Sequence, residues 1–409
     1  MRISTVTMFE QSLSSLNRQQ GEFLQVGQQI ASGKRVVNPS DDPQAASRAV
    51  AVSQSAELNQ QYADARITTR NALGQEESVL NSVSDAIGRA KTLLVQAGNG
   101  ALGDADRSSL ASELKGVYET LLGQANATNG NGSYLFGGYK DSAPPFVKNV
   151  DAGGNVTVAY QGDEGIPLQQ VDASRQMPST DHGKAIFKSV HSSAGYVSHA
   201  AAGNTGSVVF TGPSVVDPDA VNFGDGFTIK FSVAAGVASY SIGTGDPLAY
   251  SPAESYTPGK TLEVNGLALT LEGTPADQDT LTVSKAQEAD PDLFRTLESA
   301  IAVLDTPVGG DASLQARLQN TLSTSMRELD NALDNVLTVR ASVGARLNEL
   351  DVVDSVGTNR KLNYAQTLSD LVDLDYNAAI SEYSLRQVGL QAAQKAFVDI
   401  QGSSLFELL

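Results

Sequence analysis

Apolar residues recur along this chain in two different rhythms. Near the start, Phe9, Leu13, Leu16, Gln20, Phe23, Gly27 and Ile30 step by four and three residues. Near the end, Tyr376, Ala379, Tyr383, Arg386, Leu390, Ala393, Phe397 and Ile400 do the same. Each set is a heptad seam on an amphipathic helix, and a single helix with one narrow stripe is marginal in water. The economical arrangement pairs the two ends of the chain with each other. Arg386 is the one charged residue on the second seam. The chain then closes on Leu405, Phe406, Leu408 and Leu409, interrupted only by Glu407. A soluble protein hides such a tip in its own fold or in another subunit.

The helical rhythm continues inward. In VVNPSDDPQAA, Pro39 forces Asn38 out of helical geometry, while Asp42 and Pro43 supply an N-cap and a first helical residue. The helix that starts there carries Ala45, Ala49, Val52, Ala56, Asn59 and Ala63. It resumes the stripe with Leu80, Val83, Ile87, Ala90, Leu94 and Ala97. If continuous over 43–98 it is roughly 80 Å long at about 1.5 Å per residue. A third helix is predicted over 104–128, with Leu110, Leu114, Val117 and Leu121 inward, before the Asn129–Gly132 turn. After Asp290-Pro291 a short stripe runs through Leu293, Leu297, Ala300 and Leu304. A long one follows through Leu322, Met326, Leu329, Leu333, Val336, Arg340, Val343, Leu347 and Leu350. Residues 361–369 read as a link to the terminal helix.

Between about 140 and 290 the period changes to two. NVTVAYQG, GSVVF, FTIKFSV, VASYSIG, TLEVNGLALTLEG and TLTVS are β-prone runs separated by Gly, Asp and Pro. In FTIKFSV, alternation puts Phe227, Ile229, Phe231 and Val233 on one face. Asn265-Gly266 is a two-residue hairpin signal. The predicted fold is mainly α with a β insert: an elongated antiparallel helical rod, a terminal coiled coil and an inserted antiparallel β domain. The corresponding boundaries are 1–42 plus 362–409 for the coiled coil, 43–140 plus 291–361 for the rod, and 141–290 for the insert.

Composition narrows the function. The 409 residues are 41% apolar, with a net charge of −18 and no cysteine. That balance argues against nucleic acid and against an anionic membrane surface. It also removes disulfides and thiol chemistry. The N-terminal MRISTVTMFEQSL has no apolar core of a secretory signal, and no apolar run reaches membrane-spanning length. On those tests alone the chain is cytoplasmic, or exported without a cleaved leader.

Candidate chemistry is sparse. His182, His191 and His199 are spaced by nine and eight residues, which no helix or strand face aligns. Asp41-Asp42 are adjacent, so they do not form a facing carboxylate pair, and capping explains Asp42. Gly224–Phe227 and Asn129–Gly132 lack phosphate-loop spacing, and no nucleophile elbow occurs. We therefore expect no catalytic residue, no cofactor and no metal site. The residues expected to carry function are those of an assembly seam: Phe9, Leu13, Leu16, Phe23, Ile30, Tyr376, Ala379, Tyr383, Leu390, Ala393, Phe397, Ile400, Leu405, Phe406, Leu408 and Leu409.

Three stretches resemble one family. MRISTVTMFEQSLSSLNRQQ with GQQIASGKRVVNPSDDPQAASRA resembles the N-terminal signature of flagellins and flagellar hook-associated proteins. RASVGARLNELD and LVDLDYNAAISEYSLRQVGLQAAQKAF resemble their two C-terminal signatures. The likeness covers about 1–140 and 291–409. NGNGSYLFGGYKDSAPPF, the GKRVVNPSDDP link and the SLFELL ending resemble the smaller hook-associated protein rather than filament flagellin. The resemblance implies a structural, non-enzymatic, extracellular role in the bacterial flagellum, as a ring of identical subunits at the hook–filament junction. It implies a neighbouring hook-associated protein on the hook side and filament flagellin on the distal side. It also implies unfolded type III export, with a cytoplasmic chaperone at the C-terminal helix. The alternatives are a filament flagellin or, less in keeping with the residues, an exported effector or enzyme carried in the β insert.

Overall fold

The computed structural model describes residues 5–150 and 156–402. The chain divides into two compact units, Met1–Ala65 with Val352–Leu409 and Arg66–Asp351.

The first unit contains helix α1 (Thr5–Ser32) and the start of α2 (Pro43–Ala97). It also contains the end of α6 (Ala312–Val372) and α7 (Tyr376–Gly402). Helix α1 stops at Gly33, whose φ of 70° lies in the left-handed region favoured by glycine at this position. A side chain there would also run into the Tyr376 hydroxyl. The loop to α2 is held by its two aspartates. Asp41 Oδ2 accepts from the Val37 and Asn38 amides at 3.1 and 2.8 Å. Asp42 Oδ1 accepts from the Ala45 amide at 3.0 Å, the N-cap expected of it. That bond, followed by the one from Arg35, holds the Asp42 carboxyl below the usual carboxylate range.

Within this unit α2 and α6 run antiparallel. Asn59 donates to the Gly357 carbonyl at 2.9 Å, and Lys361 Nζ to Gln60 Oε1 at 3.3 Å. Residues 361–369 are therefore not a link: they continue α6 to Val372. No proline or glycine interrupts them, so nothing ends the helix. The break falls instead at Asp373–Asp375, where Asp375 Oδ1 caps α7 through the Asn377 and Ala378 amides at 2.9 and 3.2 Å.

The second unit is built on the remainder of α2 and α6, again antiparallel. Arg70 pairs with Asp351 at 2.8 Å, Arg340 with Glu77 at 2.8 Å, and Lys91 with Asp330. Helices α3 (Asp104–Ala125) and α5 (Leu293–Asp305) pack on this pair. Tyr118 meets Phe294 edge-on at 6.0 Å and donates to Glu298 Oε1 at 2.6 Å. The predicted stripe of α6 is inside: Leu329, Val336, Val343 and Leu350 have no exposed surface. Helix α3 ends three residues before the predicted 128 because Asn126 is put to another use. Its side-chain amide closes a two-bond clasp with the Phe146 backbone, 2.9 Å each way.

Phe146 opens the β region, which contributes to two separate cores. Hairpins β1 (Phe146–Val150) with β2 (Val156–Tyr160), and β3 (Leu168–Asp172) with β4 (Arg175–Pro178), precede the short helix α4 (Gly183–Phe187). Their Phe146, Val158, Val171, Met177, Ile186 and Phe187 join the helical core beside Leu80, Leu114, Phe294 and Leu329. The remaining strands form their own core. They are β5 (Tyr196–Ala200), β6 (Val209–Val215), β7 (Phe227–Ala234), β8 (Val237–Thr244), β9 (Ala249–Tyr250), β10 (Glu254–Ser255), β11 (Thr261–Val264), β12 (Leu267–Glu272) and β13 (Thr280–Lys285). One antiparallel sheet has the order β10-β8-β7-β13-β5 with β9 on β8, and the other β11-β12-β6. Phe227, Ile229 and Phe231 from the first meet Leu267, Leu269 and Leu271 from the second. Asn265 and Gly266 turn between β11 and β12 with φ of 50° and 77°, as a two-residue hairpin requires.

Candidate functional site

The terminal helices α1 and α7 pack antiparallel. Phe9 faces Phe397 with centroids 5.3 Å apart, and Phe23 lies 4.7 Å from Tyr383. The Tyr383 ring covers Gly27, within 3.7 Å of where a Cβ would stand. At the helix ends, the Arg35 amide donates to Val372 O at 2.8 Å and the Leu374 amide to Gly33 O at 3.0 Å. Arg35 Nη2 adds a bond to Leu371 O at 2.7 Å. The seam's charged residue has a partner inside the pair. Arg386 Nη1 binds Glu22 of α1, and Nη2 binds Glu382 Oε1 at 3.0 Å. The C-terminal seam thus carries a charge because α1 offers a carboxylate opposite it.

The contact is partial. Ala379 is buried, and Leu16, Phe23, Ile30, Tyr383, Leu390, Ala393 and Phe397 are half-buried. Phe9, Leu13 and Tyr376 keep 39%, 39% and 51% of their surface exposed. The α1 seam also differs from the simple four-three count. Gln20 is exposed, whereas Val26 is buried and Gln19 half-buried. An unbroken heptad count drifts against a straight 3.6-residue helix, so neighbouring positions take over along its length. Val26 is the buried residue and Glu22 the contact that counting missed; the charge at Arg386 was the signal for Glu22. The side chain of Ile400 and residues Leu405, Phe406, Leu408 and Leu409 lie outside the described residues.

A second apolar set points away from the pair: Leu24 at 57%, Ile380 at 54%, Leu385 at 71%, Val388 at 63% and Val398 at 63% exposure. Among the described residues nothing covers these side chains, on helices whose inner faces are already used. Exposed patches of this kind mark association surfaces.

The RASVGARLNELD stretch has a defined job in the larger unit. Arg340 holds Glu77 on α2, Arg346 holds Asp181, Glu349 holds Arg175 on β4 at 2.5 Å, and Asp351 holds Arg70. This stretch of α6 thereby fastens α2 on one side and the β3–β4 region on the other. The SYLFGGY stretch does the equivalent for the first hairpins. Phe136 is fully buried against Phe187, and a side chain at Gly137 would stand 2.5 Å from the Lys140 carbonyl.

The three histidines lie apart. His182 caps α4, accepting the Ala185 amide at 3.3 Å, and His191 bonds Ser193. His199 on β5 lies 3.4 Å from Glu328, and burial lowers its pKa against the pull of that carboxylate. It borders a cavity of about 520 Å³ between the sheet and helices α5 and α6. The acids and the two amides lining that cavity are structurally engaged, Asn204 bonding both ways with the Thr280 backbone. Asp279 accepts three backbone amides, Asn320 clasps the backbone at Val208 and Phe210, and Glu328 accepts Thr296 Oγ1.

Residues 3–141 match the bacterial flagellin N-terminal helical region. Together with the nested helices and inserted β region, this makes the chain a flagellin-like structural protein. Flagellar hook-associated protein 3 of Salmonella typhimurium is 36% identical over 100% of this chain and 99% of its own length. The crystal structure of FlgL from Xanthomonas campestris superposes with a TM-score of 0.65 at 26% identity, covering 78% of this chain and 99% of that one. Flagellar hook-associated protein 3 from Legionella pneumophila gives 0.68 at 25% identity, with 78% and 98% coverage. The chain belongs to the flagellar hook-associated protein 3 family.

Proposed function

We propose that this protein is a structural subunit of the hook–filament junction, assembling through α1 and α7 into a ring of identical copies. The observation that carries this reading is the half-buried terminal pair. Its inner face joins α1 to α7, and Leu24, Ile380, Leu385, Val388 and Val398 on the outside stay uncovered among the described residues. Copies of the same chain supply the missing cover. The hook-associated protein on the hook side and filament flagellin on the distal side complete the two edges of the ring. Residues 375–409 pass through the cell as a chaperone-bound segment before export, and the folded protein works outside it. The chain acts by packing, not by catalysis, since its paired ions and cavity-lining acids serve to hold elements together.

Removing the protein from its cell tests this. The expected result is an intact hook with flagellin secreted but unassembled; loss of one filament-protein band alone would instead identify a flagellin. Leu385→Asp with Val388→Asp should leave the monomer's circular dichroism unchanged and abolish filament growth. Normal motility in that variant sinks the outer stripe as an assembly surface.

A further inference from the structure

One carboxyl of the larger unit is packed away beside another carboxyl with a single guanidinium between them. Glu76 on α2 has no exposed surface. Two charged groups face it: Asp181, from the segment joining β4 to α4, and Arg346 from α6. Arg346 is 8% exposed and is bonded to Asp181. The other ions on these elements have partners of their own, Glu77 with Arg340 and Arg175 with Glu349. His182, beside Asp181, uses Nδ1 to cap α4. The cluster therefore holds two carboxyls, Glu76 buried and Asp181 half-buried, and one guanidinium.

Its hydrogen bonding points the same way. Glu76 Oε1 accepts from the Asp181 amide at 3.2 Å. Oε2 is buried with no donor, and the charge of the Asp181 carboxyl bears on Glu76. Two carboxylates in contact repel, and a buried acceptor without a donor is costly. A proton on Glu76 relieves both, cancelling one of the two facing negative charges and turning the unpartnered acceptor into a hydroxyl. Burial first, then the Asp181 charge, raise the Glu76 carboxyl to about 8, with Arg346 opposing.

We propose that Glu76 keeps its proton in the folded protein, so that the seating of residues 179–182 against α2 and α6 is a proton-linked latch that loosens as the medium turns alkaline. The segment matters because it positions α4. The Gly183 amide bonds Phe136 O at 2.9 Å, and the Phe187 ring sits against Phe146 and Phe294. The linkage has a definite sign. The unfolded chain releases this proton near pH 4.5, whereas the folded one keeps it to about pH 8. Stability is thus full below the lower value, falls across the window, and levels off above it. Within that window one retained proton changes the folding constant by about tenfold per pH unit.

Urea unfolding of the full chain, followed by far-ultraviolet circular dichroism at pH 5.5 and 7.5, tests this against Glu76→Gln. Glutamine keeps the shape and offers an N–H to Asp181 without needing a proton. We expect the wild type to lose about tenfold per pH unit more than the variant over this range. Equal slopes overturn the proposal, as does a Glu76→Gln chain that fails to fold, because a neutral isostere should be accepted. Infrared difference spectra at pH 7 give a second readout. A protonated-carboxyl band present in the wild type and missing from Glu76→Gln supports the latch, and its absence from the wild type refutes it.

Discussion

Phe23→Ala probes the terminal pairing at its best-packed point. The Phe23 ring stacks on Tyr383 with centroids 4.7 Å apart and planes inclined by 31°. Truncating a fully buried phenylalanine costs about 3–5 kcal/mol. Phe23 is half-buried, so roughly half of that applies, ~2 kcal/mol, of which the ring–ring contact supplies about 1 kcal/mol. The loss should be local, because α1 meets α7 along a seam that can open without unfolding the β region. A change of ~2 kcal/mol corresponds to roughly 30-fold in the opening equilibrium. Amide hydrogen exchange of the full chain, read by mass spectrometry, should show about that acceleration over both α1 and α7. Leu24→Ala, at a position 57% exposed, is the control and should change little. The double variant Phe23→Ala/Tyr383→Ala should cost about 1 kcal/mol less than the sum of the singles. Unchanged exchange in α7 on losing Phe23, or strict additivity, refutes the idea that these rings join the two ends.

Two further outcomes follow from the same unit. Arg386→Ala should change the exchange of α1 by no more than about fivefold, because the Arg386–Glu22 pair is more than one-third exposed and such pairs contribute under about 1 kcal/mol; a loss as large as that of Phe23→Ala would mean the pair is buried on assembly. Asp42 has a lowered carboxyl pKa, so its cap contributes stability above the usual carboxylate value near 3.8, and this is lost as pH falls through the lower folded value. Thermal melts of wild type and Asp42→Ala should therefore converge on acidification from pH 6 to pH 2, and a gap that stays constant argues against the cap's titration.

Much of the architecture was written locally. The stripes of α2 and α6, the N-cap at Asp42 and the Asn265-Gly266 hairpin each depend on residues within a turn or two of one another. Periodicity, capping and positive φ act over that range, so a single sequence displays them. The resemblance of the terminal stretches to flagellins and hook-associated proteins is likewise legible because it lies in ordered, contiguous runs.

Other features needed the chain to close on itself. The first two hairpins look like the rest of the β insert, yet Phe146, Val158 and Met177 sit in the helical core, since Asn126 and α6 hold them there. Their pairing partners and burial come from residues far away in sequence. Residues 361–369 looked like a link because a link was needed before the terminal helix, while the physical break required only the three residues Asp373–Asp375. Glu76 is the clearest case. Beside Glu77 on a long helix it reads as one more solvated acid. Asp181 and Arg346, 105 and 270 residues further on, enclose it and remove its water. Burial of a charge is a property of what packs across from it. The long helices were therefore largely determined by local sequence, whereas the exact seam of α1, the partner of Arg386 and the burial of the Glu76 carboxyl were decided by tertiary structure.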